Sequence, residues 1–195
     1  MFFRNIKLKK GTTHAVTLAE VYLPVKLGHR DAEKVFGAPL SAQLAATGLG
    51  VVMSCTPRKR ASGETIGVDI ALGLRDARES ALKSVAGMLE ALSAPCGSSI
   101  RLTDAVGDPL LFGVTEGIEV AVETPQAPTP EMRRELALTC REALERMGVS
   151  RGWDLRRDKT VFYFYGESYA EMRARLARVL KSSGRYGEAT FRRMA

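Results

Sequence analysis

The sequence predicts an α+β protein built from two similar modules in tandem, each with the element order β-α-β-β-α-β and an antiparallel sheet. Two observations carry this prediction. Residues 160–165 form a run of β-branched and aromatic residues, and a helix-start signal follows them directly. The first half of the chain repeats the same series of elements with a different sequence. A composition of 45% apolar and 26% charged residues is typical of a folded chain.

The first module is predicted to span residues 1–115, with a basic N-terminal segment and an extra strand or linker at its end. Strands are expected at 16–25, 50–56, 65–72 and 99–102, a helix at 39–47 that ends at Gly48, and the extra strand or linker at 109–114. A second helix should begin at Asp76-Ala-Arg-Glu79, which resembles a capping box. Its apolar stripe is Leu82, Val85, Met88, Leu89 and Leu92.

The second module is predicted to span residues 116–195. Strands are expected at 117–122, 153–155, 160–165 and within 185–193. One helix should begin at Thr129, which can cap it with Pro130 in the first position, and end at Gly148. The other should begin at Ser168, which forms a capping box with Glu171. The apolar stripes of the two helices are Met132, Leu136, Leu144 and Met147, and Met172, Leu176, Val179 and Leu180.

This order of elements is that of the ferredoxin-like fold, so the prediction is two tandem ferredoxin-like modules related by duplication. In such a module the helices cover one face of the sheet. The opposite face then needs cover from the other module's sheet or from a second subunit.

Both central hairpins carry basic residues at their tips: Arg58, Lys59 and Arg60 in the first module, and Arg156, Arg157 and Lys159 in the second. Clustered cations on a protruding turn suit phosphates or an acidic partner, because arginine binds such groups through two parallel hydrogen bonds. Long cations are also ordinary on solvated turns, so both interpretations stay open.

The strand at 160–165 places Tyr163 and Tyr165 on the face opposite Phe162 and Phe164. If the phenylalanines face the helices, the tyrosines lie on the open face, where aromatic rings of RNA-recognition modules stack on bases. The alternative is that both tyrosines are buried at a module or subunit interface.

Metal and cofactor sites are not predicted. The histidines are only His14 and His29, no two cysteines have metal-ligand spacing, and no glycine-rich phosphate loop occurs. Cys55 lies near the first basic tip, where cations would activate a thiol, but its position on a predicted strand also suits a buried, inert thiol.

The net charge of +7 is spread evenly along the chain, and three widely spaced cysteines are typical of free thiols in a reducing compartment. No apolar run is long enough to cross a membrane, and no secretion signal is recognised. We therefore expect a cytoplasmic protein that does not insert into membranes.

Three functions remain open on the sequence, and binding is favoured over catalysis. The first is a non-enzymatic binding or regulatory protein, such as one that neutralises a protein partner, with a protein partner or a homo-oligomer expected. The second is a nucleic-acid-binding protein that uses the basic tips with Tyr163 and Tyr165. The third is an enzyme acting on a small anionic substrate in a groove between the modules.

Overall fold

The computed structural model describes residues 4–5, 15–76, 78–123, 129–156, 159–183 and 188–194. The chain forms two compact units, Met1–Gly113 and Val114–Ala195. Among the described helices, none is both long and apolar enough to cross a membrane.

The first unit carries a six-stranded sheet, in which five strands lie side by side and a short N-terminal strand pairs with one of them. Its elements are β1 (Arg4–Asn5), β2 (Ala15–Leu23), α1 (His29–Ala32), a π-helical turn (Glu33–Gly37), α2 (Ala38–Thr47), β3 (Gly50–Lys59), β4 (Thr65–Leu74), α3 (Glu79–Ala91), β5 (Ser98–Leu102) and β6 (Leu110–Phe112). The strands pair in the order β3-β4-β2-β5-β6, with β1 on β2, and every pairing is antiparallel.

The second unit has four strands and two helices in its described residues. They are β7 (Glu116–Glu123), α4 (Pro130–Leu144), β8 (Gly148–Arg156), β9 (Lys159–Gly166), α5 (Tyr169–Ser183) and β10 (Ala189–Arg193). The strand order is β10-β7-β9-β8, again antiparallel throughout. Strand β8 is last in this order, and its Trp153 and Leu155 are about half exposed.

Each sheet buries one face under its helices. In the second unit Phe162 and Phe164 pack in a core with Leu136 of α4 and with Met172 and Leu176 of α5. In the first unit alternate residues of the central strands are fully buried, among them Leu23 and Leu72. We call the opposite face of each sheet, which points away from the helices, its outer face.

The α+β class and the two antiparallel sheets are confirmed. The prediction that the units are tandem copies of one ferredoxin-like module stays a prediction. Both caps in the second unit form as expected: the Thr129 hydroxyl accepts from the Met132 amide at 3.3 Å, and the Ser168 hydroxyl accepts from the Glu171 amide at 3.3 Å. The extra strand near 109–114 is present as β6.

The helix predicted at 39–47 with its end at Gly48 is present as α2, and a further helical segment, α1 with a π-helical turn, precedes it from His29 to Gly37. Two local predictions were wrong. Helix α3 begins at Glu79 without a side-chain cap, since Asp76 instead accepts from the amide and guanidinium of Arg78. Met132, predicted in a buried stripe, is 41% exposed.

Candidate functional site

A row of four side chains crosses the outer face of the first sheet. Arg101 on β5 lies opposite Glu20 on β2, Glu20 lies opposite Ala71 on β4, and Ala71 lies opposite Ser54 on β3. The Arg101 guanidinium donates to the Glu20 carboxylate at 2.9 Å. Both side chains of this ion pair are more than half exposed, so the pair is loosely held.

The next row along the same face holds a second ion pair and an aromatic ring. Tyr22 lies opposite Asp69, and Arg58 donates to Asp69 from Nε at 2.8 Å and from Nη2 at 2.6 Å. The Arg58 guanidinium also stacks over the Tyr22 ring, 4.4 Å from its centre. The ring covers Gly67, where a side chain would collide with it, and its hydroxyl donates to the Ile66 carbonyl at 3.0 Å. Tyr22 is thereby held on both sides.

Together the two rows line a groove of about 480 Å³, which we call the Ala71 groove. This volume lies in the range of small-molecule sites. Its polar lining comes from Glu20, Tyr22, Ser54, Arg58, Asp69, Ser99 and Arg101, with Ala71 in the central row. Cationic, anionic and hydroxyl groups therefore all face one concave surface.

The outer face of the second sheet carries a related row. Arg192 on β10 lies opposite Glu119 on β7, and Glu119 lies opposite Tyr163 on β9. Arg192 donates to the Glu119 carboxylate at 2.6 Å and Arg156 donates to it at 3.2 Å. The Glu119 side chain is only 7% exposed. Burial opposes its ionisation, but the hydrogen bond from Arg192 and the charge of Arg156 outweigh burial and hold the pKa of Glu119 below its usual value.

Tyr163 extends this network across the sheet. Its hydroxyl donates to Asp154 Oδ2 at 2.7 Å, and Arg156 Nη2 lies 3.5 Å from the same hydroxyl. Burial, followed by the hydrogen bond to Asp154 and the charge of that carboxylate, raises the pKa of Tyr163. The phenol is therefore a permanent hydrogen-bond donor at any physiological pH.

The two outer faces match in register. We call the row that contains Glu20 in the first unit and Glu119 in the second the central row, and its residue next to the glutamate differs between the units. Glu20 on β2 lies opposite Arg101 on β5, and Glu119 on β7 lies opposite Arg192 on β10. Each sheet also has a β-bulge next to the central residue, between Val52 and Ser54 in one unit. In the other unit the bulge lies between Ser150 and Trp153.

At the position between the glutamate and the bulge, the first unit has Ala71 and the second has Tyr163. Beyond the bulge, Arg58 and Arg156 take matching positions, since their ladder partners Gly67 and Lys159 each lie four residues before the central residue. Tyr163 is almost fully buried over the second sheet, whereas Ala71 lines the open Ala71 groove over the first. In the next row the sizes are reversed, with Tyr22 in the first unit and Ala121 in the second.

The structure places most of the predicted tip cations next to carboxylates. Arg58 and Arg156 turn back onto the outer faces, Arg60 lies 3.4 Å from Glu64, and Lys159 lies 3.0 Å from Glu123. Lys59 is exposed near the end of β3. Arg157 lies outside the described residues. Phosphate binding by these tips stays a prediction, and it would require the arginines to change partners.

Tyr163 and Tyr165 are each 2% exposed. The Tyr165 ring lies against Gly117, its partner across the ladder, where a side chain would come within 2.9 Å of the ring. Base stacking on these rings would require the second outer face to be uncovered. The predicted aromatic platform therefore stays a prediction, whereas Tyr22 is an aromatic ring that lines a groove.

Two thiols are unsuited to nucleophilic chemistry. Burial, helped by the charge of Glu33, raises the pKa of Cys55 to about 11, and burial raises the pKa of Cys140 to about 12. Within the described residues, no cluster of three or more His, Cys, Asp or Glu side chains is arranged to hold a metal ion.

Sequence reasoning missed the lining of the Ala71 groove. One signal was available: Glu20 and Tyr22 are the polar positions of an alternating strand, as are Ser99 and Arg101. Such alternation predicts one polar sheet face, but it does not say which residues of distant strands become neighbours.

No family model matches the chain, and a search of the curated proteins found no match. Among solved structures, the chain is similar to the ligand-free regulatory subunit of aspartate kinase from Thermus thermophilus, with 14% identity over 89% of this chain and 97% of that one, at a TM-score of 0.30. An anthrone oxidase-like protein matches with 12% identity over 91% and 90% at a TM-score of 0.27. A monooxygenase-like protein of Fusobacterium nucleatum subsp. nucleatum matches with 12% identity over 93% of each chain at a TM-score of 0.28. At these TM-scores the similarities carry no conclusion about this chain.

Proposed function

We propose that this chain is a binding or regulatory protein whose ligand is a small polar molecule held in the Ala71 groove. The observation that carries the proposal is the contrast between the two outer faces. A groove lined by two ion pairs, hydroxyl groups and a fixed tyrosine ring is present over the first sheet. The matching central position over the second sheet is filled by the ring of Tyr163.

The proposal also takes the units as tandem copies of one ferredoxin-like module. Its support is the shared Glu–Arg pair, the shared bulge and the shared arginine near the hairpin tip, which recur at matching register positions. Element order alone is weak support for duplication, because this order is common. Matched side chains on matched rows are a stronger argument.

Ion pairs that face a groove are suited to ligand exchange. Exposed pairs contribute about 0 to 1 kcal/mol, so a ligand that offers its own acid or donor group can replace one partner at little cost. The stacking of Arg58 on Tyr22 keeps that guanidinium in place while its partners change. This arrangement is suited to recognition.

The test is a ligand screen on the intact chain by thermal shift, followed by calorimetry on each hit, with two matched substitutions. Ala71→Tyr reproduces in the first unit the residue that fills the second, so we expect it to abolish binding. Ala45→Tyr adds the same side chain at an exposed site on α2, away from the groove, and should bind like the unmodified chain. A ligand that binds both variants equally, or a library of amino acids, organic acids and nucleotides without a single hit, would refute the proposal.

A protein partner, favoured on the sequence alone, gives a different result. A complex recovered from a lysate in high salt that still forms with Ala71→Tyr would assign binding to another surface. Loss of such a complex with Ala71→Tyr and its retention with Ala45→Tyr would place a macromolecule in the groove, which would also overturn the small-molecule proposal.

A further inference from the structure

The ligand class of the Ala71 groove can be read from the side chain that fills the matching space in the second unit. We infer that the Ala71 groove binds a small planar aromatic acid that carries a hydroxyl group on its ring. This inference rests on the proposed function and deepens it.

The ring of the ligand is inferred from the shape of the side chain at the matching position. Tyr163 lies in the central row between Glu119 and the bulge, and Ala71 lies in the same row between Glu20 and the bulge. A phenol ring therefore fits over this kind of sheet at this position, as Tyr163 demonstrates in the second unit. Replacing tyrosine by alanine leaves room for a free ring of about that size, with Tyr22 available beside it for an aromatic contact.

The ring hydroxyl of the ligand is inferred from the polar groups around the Tyr163 phenol. In the second unit the phenol lies between a carboxylate and a guanidinium, 2.7 Å from Asp154 and 3.5 Å from Arg156. In the first unit the Ala71 groove also presents a carboxylate and a guanidinium, as the pair Asp69 and Arg58, although Asp69 lies on the strand of Ala71 and not on the neighbouring strand. A ring hydroxyl can donate to Asp69 while Arg58 remains stacked on Tyr22.

The carboxylate of the ligand is inferred from the position of Arg101. Arg101 lies on β5, on the other side of β2 from Asp69, and two strand spacings separate β4 from β5 by about 10 Å. The Arg101 side chain is 61% exposed, and its ion-pair partner among the described residues is Glu20, which is itself half exposed. A carboxylate at the far end of the ring can therefore recruit this guanidinium through two parallel hydrogen bonds.

The groove thus offers a guanidinium for a carboxylate at one end and a carboxylate for a hydroxyl at the other. A dicarboxylate would place its second carboxylate beside Asp69, which has like charge. A plain hydrocarbon ring would leave both ion pairs without a new partner.

The experiment is calorimetric titration of the intact chain with 4-hydroxybenzoate, compared with 4-hydroxycyclohexanecarboxylate, 4-hydroxybenzyl alcohol and succinate. We expect 4-hydroxybenzoate to bind with one site per chain. The saturated ring, the neutral alcohol and succinate should bind at least about tenfold more weakly, since each lacks one or more of the three recognised features.

Two substitutions assign the ends of the ligand. Arg101→Gln should weaken 4-hydroxybenzoate about tenfold or more and leave 4-hydroxybenzyl alcohol unchanged, and Asp69→Asn should weaken both. Lys83→Gln and Glu79→Gln, which remove an exposed ion pair on α3, are the matched controls and should change nothing. Melting curves of each variant check that the fold is intact.

The failures are distinguishable. If 4-hydroxybenzoate does not bind but another small molecule does and is blocked by Ala71→Tyr, the inference is overturned and the proposed function stands. If 4-hydroxybenzoate binds equally well to Ala71→Tyr, or Arg101→Gln has no effect on it, both the inferred pose and the inference are overturned. If no small molecule binds, the proposed function fails as well.

Discussion

Glu119 and Arg192 lie directly opposite each other on β7 and β10, and a 2.6 Å hydrogen bond joins their side chains on a face where the glutamate is almost fully buried. Glu20 and Arg101 hold the matching positions in the first unit, but their ion pair is exposed. The same pair of residues thus occurs in two environments within one chain. Its energetic value should differ accordingly.

Glu119→Gln should lower the free energy of unfolding of the second unit by about 1.5–3 kcal/mol, because two guanidiniums lose a buried ionic acceptor. Glu20→Gln is the matched control and should cost less than about 1 kcal/mol, since its pair is exposed. Urea unfolding, with each unit's transition followed separately, measures both. Equal costs for the two variants would contradict the difference in burial.

The contribution of Glu119 should depend on pH in a defined direction. Its folded pKa is lowered, so its stabilisation is complete above the unfolded value of about 4.3 and is lost as the pH falls through the folded pKa. The difference in unfolding free energy between the unmodified chain and Glu119→Gln should therefore be constant near neutrality and shrink in acid below about pH 4. A difference that grew on acidification would show that the carboxylate is protonated in the folded chain.

Thiol labelling should distinguish the three cysteines. Cys55 and Cys140 are buried with raised pKa values, and Cys96 is half-buried with its thiol 3.6 Å from the Gly113 carbonyl. In the folded chain near neutral pH, iodoacetamide should modify Cys96 first and the other two only after unfolding, as read by peptide mass spectrometry. Cys96→Ser should remove the early labelling. Early modification of Cys55 would contradict its buried position.

Gly113→Ala should be strongly destabilising to the first unit. Gly113 has a φ of 121°, and an added side chain would collide with the main-chain carbonyl of Pro95. Gly107→Ala is the control: its φ of 138° imposes a similar backbone strain, but nothing lies near the added group. The loss of unfolding free energy should exceed that of Gly107→Ala by about 2 kcal/mol or more. Equal losses would mean that Pro95 moves aside.

The sequence allowed most strands and helices to be predicted, because their signals are local. Residues 160–165 form the strand that their composition predicts, and Thr129 and Ser168 form the helix caps that their spacing predicts. The π-helical turn was missed because it depends on how the segment around Gly37 packs rather than on its composition.

The Ala71 groove was missed for a different reason. Its central row brings together Ser54, Ala71, Glu20 and Arg101 from four strands, and their neighbourhood depends on strand order and register. An alanine in a strand carries no signal of its own. It becomes informative only when Tyr163 is seen at the matching position of the second sheet.

Strand β8, at the end of the second sheet, has a practical consequence for work with this protein. It is an edge strand that presents Trp153 and Leu155 to solvent. Another chain can pair with the free edge of such a strand. In concentrated samples, aggregation should therefore begin at this edge strand. Leu155→Lys would place a charge on this strand and change none of the residues that line the Ala71 groove, which makes it a useful background for long titrations.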